Sequence, residues 1–207
     1  MGAYYPILLD LKGKSCLVIG GGEVAMRKVR PLVEAGAEVV VVASEVHPML
    51  KADGRIEIRE RAYRDTDLHG MFLVIVATDD AVTNRDAARD ATDLGCLVNV
   101  VDCPALSNFI VPATLRRGEM SISISTGGAS PALARRLREK LEKEFGEEWG
   151  ELTSAIAEVR RLVVEKVPDA SRRGEILRDL AHERWLDVLR ARGREALVEE
   201  MKRSAGV

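Results

Sequence analysis

The 207-residue chain has no apolar run approaching the ~20 residues that a membrane-spanning helix requires. Its first residues, MGAYYPILLDLKGK, lack the basic region, apolar stretch and small-residue cleavage site of a secretion signal. These absences predict a cytoplasmic protein that does not engage a membrane. Myristoylation at the Met-Gly start is not expected either, because Pro6 stands where the motif wants Ser or Thr. Cysteine is scarce. Cys16, Cys96 and Cys103 are odd in number, form no C-x-x-C pair and lie in apolar surroundings, so they read as packing residues and not as a disulfide framework or zinc site. His47, His69 and His182 are scattered without ligand spacing, and no metal role follows for them. Charge of one sign is lacking too. The formal net charge is −2, which argues against a nucleic-acid partner. Lys and Arg number 12 against 16 Asp and Glu over residues 1–113, 7 against 6 over 114–150, and 12 against 11 over 151–207, so the acidity sits in the first segment. There is no internal repeat and no low-complexity segment. The basic stretch RWLDVLRARGR is interrupted by an acid and reads as a solvated helix face.

What is present is the composition of a globular chain, 46% apolar and 31% charged, long enough for one ordinary domain plus an appendage. SCLVI at 15–19 is a short apolar run that reaches glycines and then a helical pattern from Val24 to Ala35, closed by Gly36. EVVVVA at 38–43, RIEIRE at 55–60, FLVIVAT at 72–78 and CLVNVVD at 96–102 read as further strands, with helical spacing at 81–94 between the last two. Strands alternating with helices predict an α/β fold: a Rossmann-like doubly wound parallel sheet with right-handed crossovers. After Asp102 the pattern changes. Prolines and an RRGE turn suggest a hairpin in which Met120, Ile122 and Ile124 face one way and Ser121, Ser123 and Ser125 the other. Leu133, Leu137, Leu141 and Phe145 then recur every four residues on one helical stripe, and from Trp149 onward the chain reads as helix alone.

Two glycine turns carry the chemistry. Gly20-Gly21-Gly22-Glu23-Val24-Ala25 has the spacing G-x-G-x-x-A, directly after an apolar strand and opening a helix. In such a turn Gly20 permits the tight bend, Gly22 lets a pyrophosphate approach the backbone and Ala25 lets the helix pack close. Glu45 stands ~20 residues beyond, where a ribose-binding acid is expected. No arginine beside Ser44 and Glu45 offers itself to a 2′-phosphate, which favours NAD over NADP. Thr78, after the strand FLVIV, belongs to the same carboxyl edge, whereas Asp79 and Asp80 read equally well as helix caps. The second turn lies in SISISTGGASPALARR. Ser125, Gly127, Gly128 and Ser130 offer hydroxyls, glycine amides and a helix N-terminus to an anionic substrate, although Ser130-Pro131 is equally a plain N-cap and first helical residue. Arg135, Arg136 and Arg138 lie further along that helix and read equally as solvent-facing.

With these residues in view, the chain resembles the precorrin-2 dehydrogenase family, the dehydrogenase/ferrochelatase module of siroheme synthases. The likeness runs through PILLDLKGKSCLVIGGGEVAMRKVRPLVEAGAEVVVVA, VIVATDDAVTNRDAARDA and LVNVVDCPALSNFIVPATLRRGEMSISISTGGASPALARRLREKLE, residues 6 to 142 almost without interruption. It implies three parts: an NAD-binding domain at 1–113, a central dimerisation segment at 114–150 and a helical domain at 151–207. It implies NAD-dependent oxidation of precorrin-2 to sirohydrochlorin by a homodimer. Some members also insert ferrous iron, a lyase activity, and the resemblance leaves open whether this chain does. It places the catalytic aspartate at Asp102 and NAD contacts at Glu23, Val24, Ser44 and Glu45. A carboxylate at the end of a strand can act as a base toward the macrocycle; without the resemblance, an aspartate there would be read as capping a turn. Two rivals stand beside this reading. A different NAD-linked oxidoreductase would need its own His or Tyr-Lys apparatus, which Tyr4, Tyr5 and Tyr63 do not offer, and a non-catalytic NAD-binding regulatory module would bind cofactor without tetrapyrrole turnover.

Overall fold

The computed structural model describes residues 4–207, so the Met-Gly start lies outside the described residues. The chain divides into two compact units, Met1–Val111 and Pro112–Val207.

The first unit is built on β1 (Ser15–Ile19), α1 (Glu23–Glu34), β2 (Glu38–Ala43), the short α2 (Pro48–Lys51), β3 (Ile56–Glu60), β4 (Leu73–Val76), α3 (Ala81–Asp93) and β5 (Leu97–Val100). The five strands form one parallel sheet in the order β3-β2-β1-β4-β5. Because both faces are covered, the central strands are continuous apolar runs and not alternating ones. Along β1 the pleat sends Leu17 and Ile19 to the face packed by Ala87, Ala88 and Ala91 of α3. Cys16 and Val18 go to the face packed by Ala25, Val29 and Leu32 of α1. Each such aliphatic side chain contributes roughly 1.5–3 kcal/mol by leaving water. Burial also pushes the Cys16 thiol up to about 11, and the buried Cys96 thiol donates to the Met71 carbonyl at 3.2 Å, as inert packing residues would.

The sheet stops at β5 because its outer edge is already occupied. The Asn108 side chain accepts from the Val98 amide at 2.8 Å and donates to the Cys96 carbonyl at 2.9 Å, while its backbone amide donates to the Val98 carbonyl. The Ser107 hydroxyl accepts from the Val100 amide at 2.9 Å. Side chains thus take the place of a sixth strand on the exposed ladder.

The crossover from β3 to β4 is pinned by Asp67, whose side chain is 1% exposed. Its carboxylate accepts two hydrogen bonds from Arg61, one from Arg59 and one from the Arg64 amide. The Arg61 guanidinium, above all, holds it at about 2, below the ordinary 3.8. A depressed folded-state value means stability that is present above the unfolded value and lost as pH falls through the folded one. The wild-type protein is therefore expected to lose on the order of 2 kcal/mol from this group as pH drops from about 4 to about 2. Melting curves across that window check it: the stability gap between wild type and Asp67→Asn should close toward acid, and a pH-independent gap would refute it.

The second unit holds the antiparallel hairpin β6 (Ala113–Arg117) and β7 (Met120–Ile124), then α4 (Pro131–Glu144), α5 (Glu148–Lys166), α6 (Ala170–Leu180) and α7 (Arg184–Ala205). The serines of β7 are exposed and Met120, Ile122 and Ile124 half-buried, as the alternation predicts. On α4 the buried residue is Ala134, whereas Leu133 is 48% and Leu137 40% exposed. The periodic stripe is real, but in a single chain its first two members face solvent. Helices α5, α6 and α7 close on Leu152, Ala155, Val159, Val163, Leu180, Trp185, Leu197 and Met201. Arg190 pairs with Glu148, and Arg194 and Lys202 pair with Glu158, which ties α7 to α5. Helix α7 is not continuous: Gly193 sits at φ 78, ψ 175, a conformation open almost only to glycine. A Cβ there would meet nothing within 4 Å. Gly193→Ala is accordingly expected to cost about 1–3 kcal/mol through backbone strain alone; an unchanged denaturation midpoint would contradict this.

Candidate active site at the carboxyl edge of the sheet

In a parallel sheet all strands end at one edge, and the crevice forms where neighbouring connections leave to opposite faces. Here β1 lies between β2 and β4, with α1 and α3 on opposite faces, so that point falls over Gly20, Gly21 and Gly22. The glycines differ in what confines them. Gly20 has φ 125, and a Cβ on it would stand 2.2 Å from the Ala77 carbonyl oxygen; on Gly21 it would stand 2.0 Å from the Glu45 oxygen. Around Gly22 nothing lies within 4 Å. The first two are closed in by the protein's own backbone, and the third opens onto free space.

Helix α1 begins at Glu23 with Gly22 as N-cap and no side-chain capping bond, leaving first-turn amides without a side-chain acceptor. Helix α3 differs, because the Asp80 carboxylate caps it by accepting from the Val82 and Thr83 amides. The cap reading of Asp80 is therefore correct. An uncapped, glycine-led helix N-terminus with open space beside it fits the pyrophosphate of a dinucleotide. Glu23 is exposed and Val24 half-buried in that first turn. Ser44 and Glu45 are exposed after β2, and the loop they begin is held against the glycine turn by the His47 amide, which donates to the Gly21 carbonyl at 2.8 Å. Thr78 follows β4. Its hydroxyl donates to the Asn84 side chain at 2.7 Å and accepts from the Asp80 amide, so its polar atoms build the loop.

Asp102 closes the edge after β5 and is exposed. With φ 57 it is the only non-glycine at positive φ among the described residues. The left-handed region costs most side chains of order 1–3 kcal/mol, less for aspartate, whose short polar side chain tolerates it. The surrounding bonds enforce it: the Val101 amide donates to the Val76 carbonyl, and the Ser107 hydroxyl bridges to the Cys103 carbonyl at 3.0 Å. On α1, Lys28 is half-buried and its proton affinity is lowered, first by burial; the Asp102 carboxylate acts in the opposite direction.

In the second unit, Gly127 and Gly128 have φ 62 and 88. The Ser125 hydroxyl accepts from the Gly127 amide, Thr126 from the Ser130 amide, and Ser130 from the Leu133 amide at 3.2 Å. Ser130 is thus an N-cap, and the hydroxyls of this turn keep their protons free to donate outward. Arg135 and Arg136 are exposed, and Arg138 pairs with Glu142.

Comparison with known proteins completes the picture. A family described as NAD(P)-binding matches residues 7–113, and one described as the central part of sirohaem biosynthesis proteins matches 117–144. The siroheme synthase of Nitrosococcus oceani is 42% identical over 167 residues, that of Methylococcus capsulatus 43% over 169. A solved structure titled SirC, precorrin-2 dehydrogenase, covers 97% of this chain and 100% of its own at a TM-score of 0.80 and 29% identity. The chain belongs to the precorrin-2 dehydrogenase/siroheme synthase family. It spans 79–80% of itself in those alignments but only 36% of either siroheme synthase. The NAD(P)-binding match spans the glycine turn, and the uncapped α1 terminus beside Gly22 fits NAD as cofactor.

Four residues of the site were not among the positions singled out from the sequence. Gly21 gave no signal beyond being one of three glycines. Ser107 and Asn108 act through hydrogen bonds to backbone that no periodicity announces. Lys28 did leave a trace, since it interrupts the apolar spacing Ala25, Val29, Leu32.

Proposed function

We propose that this chain oxidises precorrin-2 to sirohydrochlorin with NAD as acceptor, with Asp102 as the catalytic base. The observation that carries the reading is the left-handed Asp102 at the carboxyl edge that also bears the dinucleotide turn. The likeness to a precorrin-2 dehydrogenase over nearly the whole chain supports it. When bound, NAD takes up an electron pair with one hydrogen nucleus, which leaves one further proton of the oxidised bond for the protein to remove. Asp102 would accept that proton on a carboxylate oxygen, and its fixed backbone aims the carboxylate before substrate arrives. Gly20, Gly22, Glu23 and Val24 would hold the pyrophosphate end of NAD, Ser44 and Glu45 the ribose, and Thr78 the wall between them. Ser125 and Ser130 would receive substrate carboxylates through their hydroxyls and Gly128 through its amide, while Gly127, whose amide is engaged with Ser125, would shape the turn around them.

The test is direct: purified protein, precorrin-2 and NAD, with reduced cofactor followed by absorbance. Turnover is expected; NAD binding without turnover would turn the reading into the rival one, a regulatory module. Ferrous iron added to sirohydrochlorin in the same cuvette tests iron as a second substrate, with the ring nitrogens as ligands. The segments 114–150 and 151–207 are proposed as dimerisation and helical parts of a cytoplasmic homodimer, the exposed Leu133 and Leu137 on α4 being apolar side chains that a second copy could cover. Sedimentation at the mass of one chain would remove that assignment.

A further inference from the structure

The core-facing residues of α1 are Ala25, Val29 and Leu32, and their three- and four-residue spacing places position 28 on the same stripe. The residue there is lysine. Lys28 is half-buried and makes neither a hydrogen bond nor an ion pair among the described residues. Such an ammonium has no hydrogen-bonded partner in the chain, so its donors are taken up by water or by an anion that binds beside it. The charges acting on it are Asp102, which favours its charged form, and its neighbour Arg27, which is exposed and opposes it. Helical side chains lean toward the amino-terminal end of their helix, so Lys28 extends toward the edge where α1 begins and Asp102 stands. It lies five residues past Glu23, roughly 7.5 Å of rise, and thus beyond the first-turn amides that suit a pyrophosphate.

We infer that Lys28 is a substrate-binding residue that receives a carboxylate of the macrocycle beside Asp102. The inference rests on the tetrapyrrole reading above. A polycarboxylate brought to an aspartate base meets like-charge repulsion, and the site needs a cation close to that base to admit it. Lys28, half-buried on the core-facing stripe of α1 and within electrostatic reach of Asp102, can supply that cation.

Lys28→Met is expected to raise the KM for precorrin-2 about tenfold with kcat within about threefold and NAD affinity unchanged, and Lys28→Arg to restore most of the KM. Raising salt from about 0.05 to about 0.5 M should raise the wild-type KM and barely move that of Lys28→Met, a response that a packing role would not produce. Lys28→Gln serves as a second neutral variant should the methionine disturb folding, with melting temperature as the control. A wild-type KM in the folded neutral variant overturns the inference, as does an equal loss of NAD affinity, which would assign Lys28 to the cofactor. Wild-type protein that neither oxidises precorrin-2 nor binds sirohydrochlorin overturns the functional reading and this inference together. Normal wild-type turnover with an indifferent Lys28 overturns the inference alone.

Discussion

Asp102→Asn is expected to lower kcat for precorrin-2 oxidation by about 10²–10⁴-fold while NAD affinity and melting temperature stay close to wild type. Asparagine matches aspartate in size and accepts the left-handed backbone as readily, so φ 57 can be kept. What is removed is the ability to take up a proton at that point. Asp102→Ala separates chemistry from conformation, because alanine loses the base and also fits this backbone poorly; its melting temperature should fall where that of the asparagine variant does not. Stopped-flow or steady-state absorbance of reduced cofactor reads the first effect, calorimetry the second. Full activity in Asp102→Asn would leave the enzyme without its assigned base.

The second large effect separates three adjacent glycines. A methyl group on Gly21 would lie 2.0 Å from the Glu45 carbonyl oxygen and 2.9 Å from the Ala43 Cβ, contacts that only backbone movement can relieve. Gly21→Ala should therefore cost at least about 1–3 kcal/mol of stability and, by displacing the loop that carries Glu45, weaken NAD binding too. Gly22→Ala adds the same methyl where nothing lies within 4 Å. It should fold as wild type and lose about tenfold or more in NAD affinity, because the methyl fills the space assigned to the pyrophosphate. Thermal melts paired with NAD titrations tell the two apart. A Gly22→Ala protein that binds NAD normally would show that the cofactor does not approach the backbone there.

The contrast among these glycines also shows how far the sequence reaches. The strands were legible because a doubly covered parallel sheet needs uninterrupted runs such as LVIV at 73–76, and burial rewards nothing else. The glycine turn was legible because its spacing answers a covalent constraint on the chain. Which neighbour each glycine faces was not, since the carbonyls of Ala77 and Glu45 arrive from loops after β4 and β2 that are distant in sequence. The leucine stripe on α4 illustrates the same boundary: a four-residue period states which side chains share a face, and only tertiary structure states that Leu133 and Leu137 meet solvent in one chain. Asp102 could be picked out by resemblance and by its place after a strand, but its left-handed backbone follows from bonds to β4 and Ser107 that no local pattern encodes. The break at Gly193 was equally hidden, because glycine is tolerated inside many helical patterns.

The clasp of Ser107 across the loop after β5 decides when a cost is incurred. Its hydroxyl joins the Val100 amide to the Cys103 carbonyl, closing a small ring of chain around Asp102. The conformational penalty of presenting that carboxylate is then met once, during folding, and is shared with the whole cooperative unit. For the proposed base, it would not recur as a reorganisation in each catalytic cycle. If Asp102 is the base proposed above, stability given up in the resting protein would in this way be converted into a lower barrier for every molecule of substrate that follows.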